Sequence, residues 1–208
     1  MSESHDSDRE IIERLLRGDE EAFEQLVAPY HGRLLRLART FHSDRGAAEE
    51  IVQDTWVAVL QGLRQFEGRS SLSTWIFRIL ANRAKTRAVR DSRMVPFSDL
   101  EPTDGGNEPA VDPSRFSSGG GWTDPPRPWD ADTPEKLLLR SETSGKISAA
   151  IADLPPGQRV VVTLRDVEGL SSEEVCNILS LTETNQRVLL HRARSRLRTA
   201  LERYVGGK

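Results

Sequence analysis

The chain has 208 residues, a formal net charge of −3, 37% hydrophobic residues and a single cysteine. That length allows one domain or two small ones. Cys176 alone excludes an internal disulfide or a multi-cysteine metal site, no apolar run approaches the roughly 20 residues of a membrane span, and the acidic start is no signal peptide.

The net charge hides a segregation. Residues 1–68 carry 8 bases and 14 acids, 69–93 carry 7 and 1, 94–142 carry 4 and 10, 143–186 carry 3 and 6, and 187–203 carry 6 and 1. Two basic islands thus stand in an acidic protein, each within a helical pattern, as expected of a chain that touches a polyanion at two places.

In chain order, Ile11, Ile12, Leu15 and Leu16 predict a short amphipathic helix ending near Gly18. A second begins at Asp19 with acids in its first turn, where the helix dipole favours them. Phe23, Leu26, Val27 and Tyr30, then Leu34, Leu35, Leu37, Ala38 and Phe41 keep helical spacing, with Pro29 marking a bend. Asp44 caps a third helix, about residues 46–63, whose stripe is Ile51, Val52, Thr55, Trp56, Val59, Leu60 and Leu63. The back of that helix carries Glu50, Gln53, Asp54, Val57 and Gln61, which reads as a solvated or protein-docking face, since no histidine or second carboxylate cluster accompanies its acids.

The fourth helix, over residues 72–90, follows a Ser- and Gly-rich turn, with Ser73 or Thr74 expected as its N-cap. Ile76, Phe77, Leu80, Ala84 and Ala88 fall on one side; Trp75, Arg78, Asn82, Lys85 and Val89 gather on the other. The second set combines cations for phosphates, an aromatic surface for base stacking and an amide that can pair with a base edge, a set suited to single-stranded nucleic acid. Periodicity alone fits equally a solvated basic helix over a core, with Trp75 buried.

Residues 94–134 lose every period and are rich in Pro, Gly and acids, so they read as a linker, with Phe97, Phe116, Trp122 and Trp129 as expected local anchors. Helical pattern returns with Pro134 at a first helical position and continues through Leu137, Leu138, Ile147, Ala150 and Ile151. After Pro155-Pro156, the spacing of Val160, Val161, Leu164 and Val167 predicts helix despite the β-branched run. Residues 169–194 then have the layout of a helix-turn-helix. Ser171 and Glu174 form a capping box, the first helix runs to about Leu179, Ser180-Leu181 turn, and Thr182 caps the second helix. There Leu190, Ala193, Leu197, Leu201 and Tyr204 form the inward stripe, while Thr184, Arg187, Val188, His191, Arg192 and Ser195 face outward as a major-groove reader requires. Cys176 and Leu181 are expected in the core.

These motifs together resemble the extracytoplasmic-function group of the sigma-70 family, the promoter-recognition subunits of bacterial RNA polymerase. Residues 48–56 look like the family's polymerase-binding segment, 66–82 like its −10 segment and 154–197 like its −35-binding domain. The resemblance implies an all-α protein of two small helical domains joined by a long acidic linker: a region 2-like domain at 1–93, the linker at 94–134 and a region 4-like helix-turn-helix at 135–208.

It implies further that Glu50, Gln53, Asp54 and Val57 contact the β and β′ subunits of core polymerase. Arg69, Trp75, Arg78, Asn82 and Lys85 would engage single-stranded −10 DNA, with Asn82 near a flipped base and the 66–71 loop forming its pocket. Thr184, Arg187, Val188, His191, Arg192 and Ser195 would read duplex −35 DNA. An anti-sigma factor is an expected partner; no cofactor, no metal, no membrane insertion and no catalysis are expected, in a cytoplasmic protein. The family often has Gly-Thr-Val-Lys/Arg-Ser where this chain has Thr184-Asn-Gln-Arg-Val, which leaves base preference at −35 open. The rival readings are an autonomous helix-turn-helix regulator, binding duplex unaided and as a dimer, and a nucleic-acid-modifying enzyme; the second lacks a phosphate loop, metal cluster or nucleophile–base pair.

Overall fold

The computed structural model describes residues 2–90 and 145–206, with side chains over 8–90 and 145–201. Among them every regular element is helical. The expectations for the linker, its aromatic residues and the Pro134 helix start lie outside the described residues, as does the Tyr204 side chain.

In the N-terminal half, α1 (Ser2–Leu16), α2 (Glu20–Phe41), α3 (Arg45–Gly62), a 3₁₀ turn (Leu63–Gln65) and α4 (Leu72–Arg90) follow in order. Asp19 and Asp44 cap α2 and α3, their carboxylates accepting from the Ala22 and Ala47 amides at 3.0 and 2.7 Å. Gly18, at φ +80°, supplies the left-handed turn that closes α1. The α2 helix runs through Pro29 as one element. Its buried residues Leu26, Leu34, Leu37 and Phe41 pack with Ile51, Val52, Trp56 and Val59 of α3 and with Ile76, Phe77 and Leu80 of α4.

Two sequence expectations fail here. Leu60, assigned to the buried stripe, is 47% exposed, three residues from exposed Val57; the buried seam of α3 runs through Ile51, Thr55 and Val59 towards Leu63 of the 3₁₀ turn, and Leu60 turns off its side. The α4 cap is Ser71 rather than Ser73 or Thr74: its hydroxyl accepts from the Thr74 amide at 3.1 Å. Thr74 is buried within the first turn. The Asp8 carboxylate of α1 accepts from the Leu72 amide at 2.9 Å, so a distant residue satisfies a second orphan donor at that helix start.

In the C-terminal half, α5 (145–152) precedes α6 (Pro156–Val162), with proline in the first turn. A π-helical turn follows at Thr163–Val167, closed by the Glu168 amide on the Thr163 carbonyl at 2.9 Å. The wider turn shifts the register, which explains why Val160, Val161 and Leu164 are buried as expected while Val167 is 44% exposed.

The capping box of α7 (Ser172–Leu179) forms in both directions, with Glu174 accepting from the Ser171 amide at 2.8 Å and Ser171 from the Glu174 amide at 3.2 Å. Ser180 takes the left-handed conformation at the turn, φ 59° and ψ 45°. Then α8 (Glu183–Gly206) begins, Thr182 accepting from the Asn185 amide at 3.3 Å. Leu190 and Ala193 are buried and Leu197 is packed against the core, as the stripe requires. Cys176 is only half-buried.

The two halves pack on each other and share one hydrophobic cluster. Helix α7 lies along α4, and α6 with the π turn lies along α2.

Candidate nucleic-acid interface

The loop between the 3₁₀ turn and α4 folds back over that helix because Gly68, at φ +69°, makes a turn that other residues adopt only with strain. Phe66 returns to meet Trp75, ring centroids 5.1 Å apart. Loop and helix thereby enclose an open cavity of about 650 Å³ lined by Phe66, Arg69, Trp75, Arg78, Ile79 and Asn82, with Gln65, Glu67, Ser70, Thr74 and Asn177 completing it. Four of the five residues expected on the single-strand face therefore converge. Arg78 and Asn82 are exposed and Trp75 is half-buried; Arg69 is paired with Glu67 at 3.0 Å on the rim.

The cavity has the dimensions of a small-ligand site and offers an indole and a phenyl ring for stacking, two guanidinium groups and three carboxamides. Lys85 is not among its walls. Its ammonium is half-buried and donates to the Leu179 carbonyl at 2.7 Å, and burial pulls its pKa below the ordinary lysine value. Asn177, which sequence reasoning did not find, comes from α7 of the other half.

On α3, Glu50, Gln53, Asp54 and Val57 are exposed along one face, joined by Leu60. Glu50 pairs with Arg87 at 2.7 Å and Asp54 with Arg83 at 3.8 Å, so α4 cations hold the acids of this face.

On α8, Thr184, Arg187, His191 and Arg192 are exposed; Val188 and Ser195 are half-buried beside them. The helix is set by Gln186, buried and accepting from the Ser172 hydroxyl at 2.9 Å, and by Arg194, which grips Asp166 with bonds of 2.9 and 2.7 Å. Arg194 is thereby tied to Asp166, and the outward residues form a ridge along one side of the helix.

Between the halves, Arg33 and Arg36 of α2 both donate to the Glu168 carboxylate, at 2.7 and 2.8 Å, and that carboxylate side chain is only 2% exposed. Arg33 also stacks over Phe77 and Tyr30, 5.0 and 5.5 Å from the ring centroids. The Thr74 hydroxyl donates to Glu174 at 2.9 Å. Burial works to raise the Glu174 pKa, but bonds from the Ser171 amide and hydroxyl and from Thr74, with the charge of Arg165, outweigh it and hold the carboxyl below its ordinary value.

Comparison with known proteins agrees with this layout. The family models of sigma-70 region 2 and sigma-70 region 4 match residues 26–94 and 144–197. The chain is 30% identical to the RNA polymerase sigma-H factor of Pseudomonas aeruginosa over 199 residues, 96% of each protein. It is also 30% identical to the ECF RNA polymerase sigma-E factor of Escherichia coli over 188 residues, 90% of this chain and 91% of that one. Among solved structures, its fold is similar to CnrH in complex with the cytosolic domain of CnrY, with a TM-score of 0.57 and 23% identity over 94% of this chain and 97% of that one. It is similar also to the sigma factor RpoE in complex with the anti-sigma factor NepR from Bartonella quintana, with a TM-score of 0.57 and 22% identity over 86% of this chain and 96% of that one. The chain belongs to the extracytoplasmic-function group of the sigma-70 family and is an RNA polymerase sigma factor.

Proposed function

We propose that this sigma factor divides promoter recognition among three surfaces. Residues 1–93 form the unit that docks on core polymerase and takes the −10 strand, 94–134 the linker, and 135–208 the unit that reads the −35 duplex. Glu50, Gln53, Asp54 and Val57 meet the β and β′ subunits. The protein has no catalysis of its own and works in the cytoplasm with polymerase; an anti-sigma factor, as NepR is for RpoE, is a further partner.

At −10, Arg69 and Arg78 take phosphates, Trp75 and Phe66 stack a base, and Asn82 reads its edge. Lys85 adds a phosphate contact when its bond to Leu179 is broken. Turning a base out of the duplex costs a few kcal/mol of stacking, and aromatic stacking returns about 1–3 kcal/mol per base, so a cavity with two aromatic walls has the right scale to favour opening. At −35, Arg187 offers guanine a bidentate contact, with Thr184, Val188, His191, Arg192 and Ser195 around it. The observation that carries the reading is the convergence of Arg69, Trp75, Arg78 and Asn82 on one cavity with Phe66.

The test mixes the chain with core polymerase and follows co-elution in gel filtration, then transcription from genomic promoter fragments. The wild type is expected to co-elute and initiate, and Gln53→Ala with Asp54→Ala to abolish both. A chain that ignored polymerase yet bound duplex DNA unaided would instead be an autonomous regulator.

A further inference from the structure

The cavity assigned to the −10 strand has two walls that meet at one joint. Phe66 and Arg69 stand on the loop, Trp75, Arg78 and Asn82 stand on α4, and the chain passes from one wall to the other through Ser71 and Leu72. Bonds inside the joint are local: the Ser71 hydroxyl accepts from the Thr74 amide at 3.1 Å, and the Ser71 carbonyl accepts from the Trp75 amide at 3.1 Å and the Ser70 hydroxyl at 3.4 Å. They build the first turn of α4 and move with it.

A reference from outside comes from α1. The Asp8 carboxylate accepts from the Leu72 amide at 2.9 Å, across 64 positions of sequence. The same helix packs on the 3₁₀ turn Leu63–Gln65, from which the loop departs. One helix thus meets the loop at both of its ends. The Leu72 amide is the first of α4, a donor without a partner inside the helix, and the helix dipole favours a carboxylate there. Water could satisfy that amide equally well, so what Asp8 adds is position. The Leu72 side chain is buried on the core side of the joint, Asp8 holds its backbone, and between these anchors Gly68 leaves the loop a permissive backbone at φ +69°.

We propose that Asp8 is a positioning residue for the strand cavity, a role that rests on the assignment of this cavity to the −10 strand. From α1 it fixes the joint between loop and helix, so that Phe66 stands opposite Trp75, centroids 5.1 Å apart, before any strand arrives. A preorganised site spends less of its binding energy on ordering. Loss of Asp8 therefore weakens strand binding although Asp8 is not among the cavity walls. The opposite role has the opposite sign: a helix N-terminus also receives phosphates, and an Asp8 that merely occupied the place of a strand phosphate would, when removed, leave the strand bound more tightly.

The experiment uses the full chain without polymerase and a fluorescein-labelled DNA single strand of random sequence, about 12 nucleotides long, which cations and stacking rings accept without sequence preference. Asp8→Ala is expected to lower strand affinity about three- to tenfold, the scale of one lost capping bond acting on the fraction of competent protein. Asp8→Asn keeps an acceptor oxygen, and asparagine caps as well as aspartate, so it should stay within about twofold of the wild type. Asp19→Ala is the matched control. It removes a carboxylate that accepts from the Ala22 amide at the start of α2, at 3.0 Å; it should lower the urea midpoint about as much as Asp8→Ala and change strand affinity by less than about twofold. Asp8→Leu, which keeps bulk on α1 without an acceptor, serves if circular dichroism shows Asp8→Ala to be unfolded.

Unchanged or higher strand affinity in a folded Asp8 variant without the acceptor would overturn the positioning role. So would equal losses in Asp8→Ala and Asp19→Ala, which would reduce the effect to stability, or an Asp8→Asn no better than Asp8→Ala. Trp75→Ala in the same assay separates this role from the assignment beneath it. If Trp75→Ala weakens the strand and Asp8→Ala does not, the positioning role falls and the cavity keeps its strand. If Trp75→Ala binds the strand as well as the wild type, the assignment falls and the positioning role with it.

Discussion

Helices α4 and α8 are both basic and both proposed to face nucleic acid, yet they are built differently. The α8 reader is a ridge on one helix, its six outward side chains spaced by the helix alone. The α4 reader is a hollow: Phe66 comes from the preceding loop, the fit of Trp75 against α3 depends on Gly62, the first amide is satisfied by Asp8 of α1, and one wall comes from α7. A duplex presents its edges in a groove that a ridge can enter. A base turned out of its stack is received in a pocket.

If this contrast is right, damage to the packing beneath α4 should injure strand binding first. Phe77 is fully buried, edge-on to Tyr30 with centroids 6.4 Å apart and capped by Arg33. Phe77→Ala should cost about 3–5 kcal/mol in urea unfolding, and strand binding should be lost at denaturant concentrations where the α8 ridge still binds duplex. Simultaneous loss of both activities would mean that the halves do not differ as described.

Substitutions at the two faces themselves should separate cleanly. Trp75→Ala is expected to cost about 1–3 kcal/mol in strand affinity through lost stacking, with −35 duplex affinity unchanged. Arg187→Ala should cost about 1–3 kcal/mol at the base it reads, relaxing preference at that position and leaving strand affinity alone. Fluorescence anisotropy with both probes on both variants checks the cross-terms, which should be near zero.

The same contrast governs how much of the molecule could be read in the sequence. The helices, the caps at Asp44 and Ser171, the helix-turn-helix and the α8 ridge follow from spacings of three to seven residues, within which the sequence carries its own geometry. Trp75, Arg78 and Asn82 could be named because a basic aromatic face is visible in one helix, whereas Arg69 precedes that helix and was named through the family resemblance. Their enclosure with the 66–71 loop came from the family resemblance. Asn177, the Asp8 contact and the Glu168 clasp were out of reach, since each joins residues 64 to 135 positions apart and a charge pattern does not say which partner a side chain will choose. Lys85 shows the limit well: periodicity placed it on the correct face, and tertiary packing covered it with α7. The π turn, which moved Val167 outward, left no local signal in a run of β-branched residues.

A pH titration sharpens the comparison at the seam. Glu174 is held below its ordinary pKa in the folded chain, so its ionised form stabilises the α7 start and the Thr74 contact. The contribution is complete above the unfolded glutamate value of about 4.3 and is lost as pH falls through the depressed folded value. Acidification below pH about 4 should therefore loosen α7 from α4, followed by the loss of slow-exchanging amides in α7. Glu174→Gln should flatten that part of the profile and leave α2 and α3 protection unchanged.

The smallest expected effect is the most discriminating. Gly62 ends α3 where the indole of Trp75 packs: a Cβ there would sit 3.1 Å from Cζ2 and 3.4 Å from Cη2 of that ring. On helix propensity alone, Gly62→Ala should stabilise the chain by roughly 0.5–1 kcal/mol. Because the methyl would press on the wall of the cavity, we expect Trp75 to move towards Phe66, with a strand-affinity loss of about 0.5–1.5 kcal/mol, the scale of an off-rotamer side chain. The atoms in the way belong to the six-membered ring of the indole, which a phenylalanine does not extend to, so Gly62→Ala should have no further effect on strand affinity in a Trp75→Phe background. A double-mutant cycle measures this coupling. A coupling near zero, with the single variant binding strand as well as the wild type, would show that the hollow tolerates displacement of its indole, and the contrast between a hollow built to fit and a ridge built by one helix would lose its sharpest support.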